Sequence, residues 1–145
     1  MNTYLIDTNI IIYAYNLNSD LHEQALNIMQ SALNNEMRAY IADKSLYEFF
    51  AIITDSKRVE EPVSVKEAVE VLNLIKSSNI KIIIPSFNTM GILLGLLEKY
   101  NIGKQRIFDF VLAAMAIDNN IETILTRNDK DFAMLDEINI LNPFT

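Results

Sequence analysis

The chain has 145 residues, half of them hydrophobic, which suits one compact domain spanning residues 1–145 around its own core. Its net charge of −7 argues against a protein that coats nucleic acid through a broad basic face. With no cysteine and a single histidine, His22, it has no means to form disulfides, thiolate metal sites or a multi-histidine centre, so any bound metal must be held by oxygen.

The opening Met-Asn-Thr-Tyr-Leu-Ile carries no basic leader, and Asp7 interrupts the apolar stretch that follows. A secretory signal is therefore not expected, and the protein is assigned to the cytoplasm. A first strand is predicted at residues 4–6, ending on Asp7. Apolar residues three and four apart (Leu21, Ala25, Ile28, Met29, Ala32) then mark a helix, with Asp20-x-x-Glu23 resembling a capping box at its start. A second strand at 39–42 leads into Ser45-x-x-Glu48, which matches a capping box, as does Ser64-x-x-Glu67. A third strand at 81–84 precedes a helix carrying Met90, Leu93, Leu94 and Leu97. The longest apolar run, residues 110–117, follows Asp109 and is far short of the roughly 18 residues that mark a membrane helix. A fourth strand at 123–126, a short closing helix and a fifth strand at 138–141 end the chain.

No repeat, linker or domain boundary is visible, and three Gly and three Pro are all that punctuate the sequence. Strands that alternate with helices imply parallel pairing through crossovers, hence a three-layer α/β/α sandwich on a mostly parallel sheet of about five strands. Ligands of such sheets gather at the carboxyl ends of the strands. Acids stand at those ends: Asp7 after the first strand, Glu48 after the second, Asp109 on the helix leading into the fourth, and Asp129 and Asp131 after it. Each also has a local role open to it. Asp7 can cap a helix, Glu48 can complete a capping box, Asp109 can offset a helix dipole, and Asp129 and Asp131 can cap the closing helix. Carboxylates crowded at one end of a sheet repel one another unless protonated or bridged by cations. Hard oxygen ligands without His or Cys suit Mg2+ or Mn2+. Lys99, Lys104, Arg106, Arg127 and Lys130 supply local positive charge nearby. Tyr13, Tyr15, Tyr47 and Phe108 offer stacking faces, but none is assigned a role.

Four segments in order carry a family resemblance: Tyr-Leu-Ile-Asp7-Thr-Asn-Ile-Ile-Ile, Leu-Tyr-Glu48-Phe-Phe, Arg106-Ile-Phe-Asp109-Phe-Val-Leu-Ala-Ala-Met-Ala, and Ile-Leu-Thr126-Arg-Asn128-Asp-Lys-Asp131-Phe132. Together they resemble the motifs of the PIN domain, especially the VapC-type toxins of toxin–antitoxin pairs. The resemblance implies an endoribonuclease using Mg2+ or Mn2+ held by Asp7, Glu48 and Asp109, with Thr8, Asn9 and Thr126 orienting the acids. It implies 5′-phosphate and 3′-hydroxyl products from single-stranded or looped RNA, a small antitoxin partner and a homodimer. The pattern departs at Asn128, where the family often has Asp. If the fourth strand runs on to Asn128, alternation turns Asn128 to the metal and Asp129 away, as a weak or indirect ligand. If the chain turns after Thr126, Asp129 can swing inward instead, while Asp131 with Phe132 anchors the closing helix. Two other readings remain: a PIN-fold binding module that has lost catalysis, and a receiver-like phosphoacceptor. The second needs an acid after the third strand, where this chain has Ile84-Pro85-Ser86.

Overall fold

The computed structural model describes residues 2–145. Five strands, β1 (Thr3–Ile6), β2 (Arg38–Ala42), β3 (Lys81–Ile83), β4 (Thr123–Leu125) and β5 (Asn139–Leu141), form one sheet in the order β3-β2-β1-β4-β5. Every pairing is parallel. The helices are α1 (Thr8–Tyr15), α2 (His22–Leu33), α3 (Asp43–Ile53), α4 (Val65–Ser77), α5 (Phe87–Tyr100) and α6 (Ile107–Asp118).

Alternation along the strands divides the core. Ile6, Ala39, Ile41 and Leu125 face the layer of α1 to α4, with the buried Phe49 and Met29, whereas Leu5, Ala42 and Ile124 face α5 and α6, with the buried Phe110 and Phe132. Helix α6 is apolar on nearly all sides because it is buried on nearly all sides, which explains the run 110–117. Among the described residues, no helix is long and apolar enough to cross a membrane.

Strand order winds outward from β1 through β2 to β3, then returns to the other side of β1 for β4 and β5. The reversal opens a crevice at the carboxyl ends of β1 and β4. The expected sandwich is therefore present, and all of its sheet is parallel.

The helix starts differ in places from their sequence signals. Ser64 accepts the Glu67 amide at 3.1 Å, as its capping box requires. Ser45-x-x-Glu48 is not a capping box: β2 passes directly into α3 at Asp43, so Ser45 lies inside the first turn, fully buried, its hydroxyl without a partner among the described residues. Asp20 caps nothing either, since α2 begins at His22 after Leu21. An unanticipated box, Ser86 with Thr89, opens α5. It also places a capping serine, and no acid, where a phosphoacceptor would have to stand after β3.

Candidate active site

Asp7 leaves the end of β1 in an extended conformation and caps α1. Its amide still continues the sheet, donating to the Leu125 carbonyl at 3.0 Å, so the carboxylate is fixed at the β1–β4 crevice. Oδ1 accepts the Thr8 amide at 2.8 Å; Oδ2 accepts the Thr126 hydroxyl at 2.8 Å and the Asn9 amide group at 3.4 Å. A carboxylate has about four lone-pair positions. Three donors leave Asp7 one more, on Oδ1. Cap and candidate ligand are therefore compatible roles for one side chain.

Thr126, fully buried at the end of β4, ties this corner together. Its hydroxyl oxygen also accepts from Asn9 at 3.3 Å and from the Asn128 amide at 3.0 Å. Asn9 Oδ1 in turn accepts the Arg127 amide at 3.2 Å. Thr8 reaches across to Glu48 Oε2 at 3.4 Å. Thr8, Asn9 and Thr126 thus hold the first two acids and the turn after β4 in one hydrogen-bonded frame.

Because α3 starts at Asp43, Glu48 lies in its second turn, beyond the reach of a cap, and points to the same opening as Asp7. Asp109 enters from the first turn of α6, above the buried Leu112, Ala113 and Ala116. These three acids line one cleft of about 390 Å³ together with Thr8, Asn9, Asn128, Lys44 and Arg58. Among the described residues, no three acidic or histidine side chains form a ready-made cation cage, so the acids share a cleft without closing on one point.

Burial pushes the Asp7 carboxyl up, and the negative charge of Glu48 adds to this, against hydrogen bonds from Thr126 and Thr8 and the positive charge of Lys44. Asp109 is also pushed up, by burial first and then by Asp131 and Asp7, with Lys44 and Arg106 opposing. Mutual repulsion of half-buried carboxylates is the condition that a bound cation relieves. The donor set, all oxygen with a free lone pair on Asp7, fits a hard divalent cation.

The fourth corner departs from the expected strand. β4 stops at Leu125, and although the Thr126 amide still bonds the Leu141 carbonyl at 3.0 Å, a 3-10 turn over Asp129–Phe132 follows. Asn128 does line the acidic cleft. Asp129, expected as a weak or indirect ligand of the metal, accepts from Asn142 at 3.1 Å and, with Asp131, lines a neighbouring hollow. Buried Phe132 anchors the turn, which frees Asp131 from that duty; its charge acts on Asp109 more strongly than that of Asp7. Arg106 holds the turn in place by donating to the Asp131 carbonyl at 3.1 Å. Lys44 and Arg58 were not singled out from sequence. Lys44 was within reach, standing four residues before Glu48 on one helix face, where an ion pair is expected.

Comparison with known proteins agrees with this geometry. The family model described as the PIN domain matches residues 4–138. Ribonuclease VapC33 of Mycobacterium tuberculosis is 25% identical over 138 residues, covering 94% of this chain and 95% of that protein. The structure of VapBC2 from Rickettsia felis bound to a DNA fragment from their promoter superposes with a TM-score of 0.68 at 24% identity, over 97% of this chain and 98% of that one. VapC20 of Mycobacterium tuberculosis, a toxin that cleaves the sarcin-ricin loop, gives 0.65 at 14% identity, over 94% of this chain and 98% of that one. A crevice of acids at the β1–β4 switch point and a family match over almost the whole chain lead to one conclusion: this protein belongs to the PIN-domain family.

Proposed function

We propose that this chain is a toxin-type endoribonuclease that hydrolyses RNA phosphodiesters with Mg2+ or Mn2+ held by Asp7, Glu48 and Asp109. The observation that carries the reading is the pair of half-buried carboxylates, Asp7 and Asp109, in one open cleft, each raised first by burial and then by neighbouring acids, Glu48 acting on Asp7 and Asp131 and Asp7 acting on Asp109. When bound there, a divalent cation supplies positive charge at the attacked phosphate and lowers the pKa of a water. The chain's own part is to orient. Thr8, Thr126 and Asn9 fix Asp7, Arg106 fixes the turn bearing Asp131, and Asn128 offers a neutral amide at the cleft wall. In this reading Asp131, in place of Asp129, is the fourth acid. The ribonuclease names of the relatives support the activity.

The toxin–antitoxin complex from Klebsiella pneumoniae, a structural neighbour at a TM-score of 0.65 and 20% identity, supports a small antitoxin whose basic tail would block the same cleft. A homodimer has support in an exposed apolar stripe on α5: Phe87, 95% exposed, with Met90 and Leu94, beside Ile82 and Ile84 at the edge of the sheet. The Phe87→Glu variant should sediment as a monomer at concentrations where the wild type is dimeric; a wild type that is monomeric at every concentration would remove the dimer.

The function is tested on single-stranded RNA with Mn2+ or Mg2+ and with excess chelator. The expected result is cleavage only with metal, leaving 5′-phosphate ends; full activity in chelator contradicts the reading.

A further inference from the structure

Lys44 is the one cation that the acidic cleft carries in direct contact with its acids among the described residues. Its ammonium lies 3.2 Å from Glu48 Oε1, and it lines the cleft with Asp7 and Asp109. The other oxygen of Glu48 is the one that accepts from Thr8. Glu48 is thus pinned between a cation on its own helix and a hydroxyl on α1. The Lys44 side chain is 29% exposed, so water screens it only in part. Its charge also draws the Asp7 and Asp109 carboxyls back down, which agrees with an ammonium set among all three acids.

Resting on the metal-dependent reading above, we propose that Lys44 is a built-in counter-cation that limits the cleft to one divalent ion by standing where a second would bind. The charge balance supports this. Asp7, Glu48 and Asp109 in the cleft and Asp131 beside it, against Lys44 and Arg58, leave about two negative charges; one divalent ion neutralises them, and a second would make the site positive. Without Lys44, about three negative charges remain, more than one divalent ion neutralises. The ammonium also withdraws Glu48 Oε1 from a second ion, because that oxygen is already engaged. Lys44 is therefore a positioning residue that sets metal stoichiometry, and it need not touch substrate to do so.

The test is calorimetric titration of Mn2+ into RNA-free wild type, Lys44→Met, Lys44→Gln and Lys44→Arg, with circular dichroism to verify folding. The wild type and Lys44→Arg should take one ion per chain, whereas Lys44→Met and Lys44→Gln should take two. The partly exposed helix position favours folding of all three, and either neutral variant suffices. One ion in the wild type and one in the folded neutral variants overturns the inference and leaves the metal reading intact. Two ions in the wild type also overturn it. No Mn2+ binding by any of the proteins overturns the metal reading itself, and the inference with it.

Discussion

Helix α6 carries an aspartate at each end, and the two live in opposite circumstances. Asp118, at the last turn, accepts the hydroxyls of Ser86 and Thr89 at 2.7 Å each and the Asn88 amide group at 3.3 Å, which hold its carboxyl below the usual carboxylate range. Asp109, in the first turn, accepts no hydrogen bond among the described residues and faces Asp131 and Asp7, which with burial push it up. One acid is satisfied by the fold and pins α5 to α6. The other is left unsatisfied at an open cleft. A carboxylate with its donors supplied by the chain is structural; one kept short of donors beside other acids is poised for a cation that comes from outside.

The sharpest way to break this contrast is to remove charge without removing shape. Asp7→Asn should lower RNA cleavage by at least about 100-fold, since a lost ligand should cost no less than a lost supporting contact. Metal-free melting should hold or rise, because a buried charge has gone. Cleavage within about twofold of wild type would make Asp7 a cap and nothing more.

A smaller effect is expected at Thr126. The Thr126→Val variant removes a hydroxyl that donates to Asp7 Oδ2 and accepts from Asn9 and Asn128, so Mn2+ affinity should fall by about 10 to 100-fold. Binding unchanged by calorimetry would reduce Thr126 to a core residue. The fourth corner gives a milder contrast still. The Asp131→Asn variant should weaken Mn2+ binding by several-fold, on the order of 1 kcal/mol for a charge nearby in a partly screened site, while Asp129→Asn, held by Asn142, should leave it unchanged. The reverse ranking would restore Asp129 as the fourth acid.

The smallest effect is in pH. Asp7 and Asp109 have raised carboxyls when folded, so the stability they contribute is present below the ordinary value of 3.8 and is lost as pH rises through the raised values. Metal-free Asp109→Asn should therefore gain on the wild type in melting temperature as pH rises from about 4 to 7. Asp118 has the opposite sign: its contribution is present above 3.8 and lost as pH falls through its lowered value. The advantage of wild type over Asp118→Asn should accordingly shrink in acid. Parallel pH curves for the two variants would erase the distinction between the ends of α6.

Much of this architecture was legible because strand and helix periodicities depend on near neighbours. All five strands were expected within a residue or two of where they lie, and Asp7 and Glu48, picked for following strands, and Asp109, picked for opening the helix before β4, do line one cleft. Helix starts were less legible where tertiary structure chose between local signals. Ser45-x-x-Glu48 has the residues of a capping box, yet β2 delivers the chain into α3 two residues earlier and buries Ser45 beneath it. That shift takes the capping role away from Glu48 and leaves it paired with Lys44 one turn before it on the same helix. After β4 the sequence left two courses open, a strand on to Asn128 or a turn after Thr126; β4 ends at Leu125, and Phe132 burying itself in the core and Arg106 gripping the Asp131 carbonyl decide how the chain turns. Arg58 reaches the cleft from the loop after α3, a placement that no local pattern encodes.

The central claim is that the unsatisfied acid of α6 works and the satisfied one does not. It is tested most directly by assaying wild type, Asp109→Asn and Asp118→Asn on the same single-stranded RNA at saturating Mn2+, with metal-free melting curves for all three. The account predicts that Asp109→Asn loses cleavage while keeping or raising its melting temperature, and that Asp118→Asn cleaves like wild type but melts lower. Undiminished cleavage by a folded Asp109→Asn would contradict it.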